Sequence, residues 1–340
     1  MLEKFLLGTY TRKESQGIYE GTLDVENKTL LPVQLVQKEK NPTYLTTDGE
    51  ILYTVGTNDD GGGLMSYEKT SAGDYQLINA VTKPGNSPCY VAVDQKRQLV
   101  YSANYHLGDL RSYKILKNGG LELADEVLHE GSGPHANQEK PHVHYTDLAP
   151  DNRLIACDLG TDGVYTYDVA EDGKLTEVAV FNELPGTGPR HLVFHPKQSV
   201  AYLVGELAGT VTVLQYFSDG HFESLQTIST LPADFTGENS GGAIRISQDG
   251  RFLYASNRGH NSIAIFAINE NGTMLALVAI TDSHGDFPRD FNFSKNDQFL
   301  ICAHQKSDHL SLFEKNSDGT LTFLENSCYA PEAVCVHFPA

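Results

Sequence analysis

Six times along the chain a proline or small residue opens a short alternating strand that passes through a polar turn into a second strand. The copies are NPTYLTTDGEILYTVG, SPCYVAVDQKRQLVYSAN, PHVHYTDLAPDNRLIACD, GPRHLVFHPKQSVAYLVGEL, GGAIRISQDGRFLYASNRG and FPRDFNFSKNDQFLICAHQ, and a seventh, PEAVCVHFPA, is a lone strand. Their openings fall at 42, 88, 143, 189, 241, 288 and 331, at intervals of 46, 55, 46, 52, 47 and 43 residues. A repeat of this length built from period-2 strands cannot bury its apolar face alone, and the architecture that solves this with four-stranded units is a β-propeller.

A third alternating strand, an Asx-Gly turn and a fourth strand follow most copies, as in VYTYDVAEDGKLTEVAV and SIAIFAINENGTMLALV. The Gly supplies the positive φ that tight hairpins need. Each unit is therefore a four-stranded antiparallel blade, strands A to D. PEAVCVHFPA matches only strand A, whereas KFLLGTYT, GIYEGTLDV and LPVQLVQKE near the N-terminus match B, C and D. One strand from the C-terminus and three from the N-terminus complete a seventh blade and remove the open edges. The expectation is an all-β, seven-bladed propeller forming a single domain over 1–340, with helix signals nearly absent and no long helix.

Composition narrows the partners. With 25 Lys+Arg against 44 Asp+Glu the formal charge is −19, which repels nucleic acid and anionic membranes at long range. An anionic substrate would need a focused positive spot. The five cysteines (Cys89, Cys157, Cys302, Cys328, Cys335) form no CxxC pair and read as reduced core thiols. The opening MLEKFLLGTYT has too short an apolar run for a signal peptide, so the expected location is the cytoplasm, with no obligate protein partner. GGGL at 61–64 opens no helix and reads as a loop, and absence of tryptophan removes the Trp-Asp signature of WD40 scaffolds. Nucleophile-elbow, P-loop, zincin and EF-hand motifs are absent.

In an antiparallel blade the start of A and the end of B share one face. The second residue of A reads Thr43, Cys89, His144, Arg190, Gly242, Arg289 and Glu332; the end of B reads Tyr10, Thr57, Tyr105, Gly160, Glu206, Arg258 and Gln305. Three of the nine arginines fall on these rings with His144 and Glu206, on consecutive blades. A structural position repeats its residue from blade to blade; these differ, as a site assembled once would. Hydrolysis of a lactone, a cyclic ester, needs an activated water, an oxyanion site and a proton for the leaving alkoxide. Imidazole or carboxylate suits the proton work, and guanidinium groups suit the oxyanion and an anionic tail. Glu206 between Arg190 and Arg258 should stay ionised.

Taken singly, such rim residues are ordinarily solvated or ion-paired. His142, two residues before His144, should point the same way in an extended strand and would suggest a metal, but no third ligand is apparent, so neither metal nor cofactor is expected. His191 and His195 read as loop and turn groups. Asn104 and Asn257 suit turns, and with Gln305, His142 and Arg289 they complete the candidate substrate-binding set.

The segments HVHYTDLAPDNR, GPRHLVFHP, ELAGTV, ISQDGRFLYASNRGHNSIAIF and FPRDFNFSKNDQFLICAHQKSDHLSLF resemble the propeller-type 6-phosphogluconolactonases, related to the fungal 3-carboxy-cis,cis-muconate lactonising enzymes. The resemblance spans essentially the whole chain. It implies a seven-bladed propeller and metal-independent hydrolysis of a small anionic sugar lactone in the pentose phosphate pathway, at the propeller mouth. It places the family's catalytic set on His144, Arg190, Glu206 and Arg258. Arg289, in PRDF, is added on the ring argument as an anion clamp. Two other readings stay open: a lactonase or lactonising cycloisomerase for a carboxylated substrate, and a non-catalytic propeller that holds a metabolite or peptide.

Overall fold

The computed structural model of the chain describes residues 1–339, in which twenty-eight strands, β1 to β28 in chain order, form seven four-stranded antiparallel sheets. No helix occurs among the described residues. The A strands touch one another around a central axis. In the blade of β16 (Pro189–Phe194), β17 (Val200–Gly205), β18 (Thr210–Tyr216) and β19 (Phe222–Ser229), β17 is buried along its whole length, while the outer β19 is buried only at Phe222 and is otherwise exposed or half-buried. An inner strand is covered on both faces by neighbouring blades; the outermost keeps one face in water.

The ring closes as expected. β28 (Ala333–His337) pairs with β1 (Leu2–Thr9), which continues into β2 (Gly17–Asp24) and β3 (Thr29–Lys38). Leu7 opposes Val336, and Phe5, Leu7 and Val336 are at most 1% exposed. Burial of each large apolar side chain contributes about 1.5–3 kcal/mol, so the closing strand is held by packing as well as by its ladder.

One local feature refines the sequence reading and another departs from it. The C–D hairpin of β14 (Gly163–Val169) and β15 (Leu175–Asn182) turns through three residues: Gly173 N–H donates to Ala170 O at 2.9 Å, and Gly173 alone takes the left-handed conformation there, at φ 88°. The GGGL stretch is no loop; it begins β6 (Gly61–Lys69). A Cβ on Gly62 would lie 2.1 Å from Ser87 N, so the glycine permits two backbones to meet beside the mouth.

The feature that builds the site is an irregularity at the start of the A strands. In β12 (Val143–Leu148) Val143 opposes Asp158 and Tyr145 opposes Cys157, leaving His144 as an extra residue. In β16 Pro189 opposes Gly205 and His191 opposes Val204, leaving Arg190. In β24 (Pro288–Phe293) Pro288 opposes His304 and Asp290 opposes Ala303, leaving Arg289. These are β-bulges, which interrupt the ladder and re-aim one side chain.

Candidate active site

The three bulged residues lie at one end of the axis, where a basin of about 530 Å³ opens. His144, Glu206, Arg258 and Arg289 line it with Tyr10, Thr43, Thr57, Cys89 and Tyr105, so nine of the fourteen ring positions meet there. Below it, Tyr44 stacks on Tyr90 with centroids 4.1 Å apart, and His191 meets the Tyr90 ring edge-on at 5.2 Å. The basin is therefore closed from beneath by an aromatic plug, with His191 in the plug and not in a loop.

Glu206 follows β17, and its backbone is braced on both sides: its N–H donates to Gly188 O and its carbonyl accepts from Gly241 N–H, each at 2.8 Å. Its Oε2 lies 2.7 Å from Arg258 Nη2 and 2.9 Å from Arg190 Nε. Neither Arg190 Nε nor Glu206 Oε2 is aligned for a hydrogen bond. The carboxylate is thus held by charge and keeps acceptor capacity for a water. Burial alone would raise its pKa, but Arg258, Arg190 and Arg289 outweigh burial and hold it below the usual 4.5.

The arginines differ in what they have left to offer. Arg190 sits one layer deeper than the basin, donating through Nη1 to Gly242 O at 2.7 Å, and burial together with Arg258 pushes it down to about 9, which leaves it cationic at neutral pH. It stands behind Glu206, in a small pocket that His144 and Arg289 share with it. Arg258 donates through Nε to Gly241 O at 3.2 Å and faces the Phe287 ring at 5.4 Å. Arg289 makes no ion pair among the described residues; Gln305 Oε1, at 3.5 Å, is its polar neighbour. His144 is 5% exposed, with Nδ1 unpartnered. Burial, then Arg190, Arg289 and Arg258, drive its pKa well below 6.5, so it is a neutral imidazole. Cys89 lines the wall, and burial pushes its thiol up to about 11, which removes it as a nucleophile. None of the five thiols is paired, and Cys89 alone is not fully buried.

Several expected ligand residues are elsewhere. The bulge at His144 breaks the alternation that would have aligned His142 with it; His142 stacks on Tyr105 at 4.2 Å, its Nδ1 2.7 Å from Tyr105 O, outside the basin lining. Asn104 Oδ1 accepts the N–H groups of His106 and Leu107, and its amide donates to Asn86 O at 2.9 Å. Asn257, fully buried, is consumed by Thr230, Asn239 and Ser262. Both asparagines hold loops, and Gln305 reaches the site only through Arg289. Glu332 turns away from the mouth to accept backbone N–H groups of Arg12 and Lys13 at 3.0 and 2.8 Å. The ring argument missed Arg12, Lys40, Asn41, Ser87 and His106, which line the basin from loops outside the strand repeat.

Four cationic side chains, Arg12, Lys40, Arg258 and Arg289, thus share the basin with one carboxylate, in a chain of net charge −19. Fold and site together define a propeller that focuses positive charge around a carboxylate at one mouth. The chain belongs to the seven-bladed β-propeller lactonase family, whose model matches residues 4–338. It is 41% identical to the 6-phosphogluconolactonase of Bacillus subtilis over 98% of this chain and 97% of that one. It superposes on the Pseudomonas aeruginosa periplasmic gluconolactonase with TM-score 0.94 at 31% identity, covering 100% and 99% of the two chains. A Lactobacillus plantarum protein of solved structure gives TM-score 0.98 at 44% identity, with both chains fully covered.

The charge states predict a pH profile. With δ-gluconolactone, which carries no ionising group of its own, kcat/KM above background should hold level from about pH 8 down through 6.5 and fall only below the 4.5 of an ordinary glutamate, as Glu206 protonates. A limb near 6.5 would assign the base to a histidine of ordinary basicity.

Proposed function

We propose that the chain hydrolyses 6-phosphogluconolactone to 6-phosphogluconate, the lactonase step of the pentose phosphate pathway, and does so in the cytoplasm. The observation that carries the reading is the basin itself: a carboxylate under tension from Arg190 and Arg258, facing an excess of positive charge. Glu206 takes a proton from a water that attacks the lactone carbonyl. Arg258 and Arg289 face the oxyanion of the tetrahedral intermediate. Its collapse breaks the bond from C1 to the ring oxygen, and the proton held by Glu206 passes to that alkoxide. The neutral His144 donates or accepts a hydrogen bond along this path. An arginine-loaded site makes Glu206 a weak base while empty, and an anionic substrate cancels part of that field, raising its basicity where the chemistry needs it.

The relative in Bacillus subtilis carries the phosphorylated-lactone name, and the Pseudomonas aeruginosa neighbour is a gluconolactonase. The same guanidinium groups would accept a carboxylated lactone, so the deciding assay compares fresh 6-phosphogluconolactone, δ-gluconolactone and a carboxylated lactone over their spontaneous hydrolysis. The phosphorylated compound should give the highest kcat/KM, undiminished by chelator. Preference for the carboxylated compound would overturn the substrate, and loss of activity with chelator would overturn the metal-free scheme.

A further inference from the structure

We infer that the phosphoryl end of the substrate is bound at the basin rim by Arg12 and Lys40, and not by the arginines that hold Glu206. This rests on the lactonase reading and deepens it. The inner guanidinium groups are already committed: Arg190 to Gly242 O and Glu206, Arg258 to Gly241 O and Glu206. A phosphate dianion seated on them would also lie against the Glu206 carboxylate, where like charges repel. The lactone carbonyl at C1 and the phosphoryl group on C6 flank the ring oxygen and are several bonds apart, so the oxyanion and the phosphate can take separate partners, and the rim supplies the second anion site.

Arg12 and Lys40 have no acidic partner among the described residues, whereas the adjacent Lys13 lies 3.9 Å from Asp308. Two unpaired cations facing one basin are conspicuous in a chain with 44 acidic residues. Their loops are locked together: Thr11 N–H donates to Asn41 Oδ1, and Asn41 N–H donates to Thr11 Oγ1, each at 3.1 Å. Glu332 fixes the Arg12 backbone through the N–H bonds described above, and the Arg12 guanidinium lies 4.0 Å from the Tyr10 ring centroid. Arg289 lies 5.7 Å from that same centroid, so the two guanidinium carbons are under 10 Å apart, one at the rim and one beside Glu206. Ser87 and Asn86 line the basin with them as neutral polar groups. A planar guanidinium fork and a mobile ammonium on linked loops are suited to a phosphate's oxygens.

The test is the Arg12→Gln/Lys40→Gln double variant at fixed ionic strength, with circular dichroism to confirm the fold. The ratio of kcat/KM for 6-phosphogluconolactone to that for δ-gluconolactone should fall at least tenfold, through KM. Binding of the product 6-phosphogluconate by calorimetry, measured against gluconate, should lose its preference for the phosphorylated acid, and inorganic phosphate should cease to compete. An unchanged ratio, an equal loss on both lactones, or retained preference for 6-phosphogluconate would each overturn the assignment. If wild type accelerates neither lactone, the lactonase reading fails, and the binding preference decides the rim site alone.

Discussion

Glu206→Gln should lower kcat by roughly 10²- to 10⁴-fold, the range of a positioned general base, while tightening the binding of 6-phosphogluconate. The two effects come from one change. The amide cannot take the proton, and Arg190 and Arg258, 2.9 and 2.7 Å from Oε2 in the native site, lose the charge that offsets them. An anion about 10 Å away then gains ~1.7 kcal/mol in an effective dielectric near 20, which is tenfold or somewhat more in affinity. A residue whose only task was to hold the fold would weaken binding and turnover together. Because breaking a buried ion pair costs stability, the variant should also melt lower than wild type, and added phosphate should restore part of that loss by binding the uncompensated arginines. Wild-type kcat in a folded Gln variant would remove Glu206 from the chemistry.

Much of this was legible in the sequence, because the repeat encodes where each blade begins. The lone strand PEAVCVHFPA beside three unmatched N-terminal strands told of ring closure, and β28 pairs with β1 accordingly. The ring positions brought His144, Glu206, Arg258 and Arg289 to one basin. What strict alternation cannot express is a bulge. A period of two places His142 and His144 on one face, and the extra residue at His144 sends them to different surroundings. Nor does a strand repeat speak of loops: Arg12 and Lys40 lie between strands, and the sequence signal that could have found them is the scarcity of basic residues in so acidic a chain. Depth was invisible as well, since Arg190 and Arg289 share a repeat position, yet one is 2% exposed behind Glu206 and the other faces the basin.

Asp158→Ala should destabilise the protein by about 3–5 kcal/mol, since each stranded buried donor costs about 1–3 kcal/mol. Asp158 ends β13 (Leu154–Asp158) and is fully buried. Its Oδ1 accepts the N–H groups of His142 at 2.7 Å and Gly160 at 2.9 Å, and its Oδ2 lies 2.9 Å from His129 Nδ1. His129 Nε2 in turn lies 2.9 Å from Tyr167 Oη, so the carboxylate anchors a chain that ties the exit of β11 (Leu121–Leu128) to the next blade. The same carboxylate fixes the backbone just before the bulge that aims His144. Alanine strands all three donors and frees that backbone, so kcat should fall with stability even though Asp158 touches no substrate. Asparagine retains Oδ1 for both N–H groups and forfeits only the charged contact with His129, at a cost of about 1 kcal/mol, so it should recover most of the stability and of kcat. Urea unfolding and kcat measured on the same preparations separate the cases. Native stability in the alanine variant would show that the clasp is idle, and an asparagine variant as damaged as alanine would mean that the contact of the Asp158 carboxylate with His129, and not the two backbone bonds, holds the His144 strand in place.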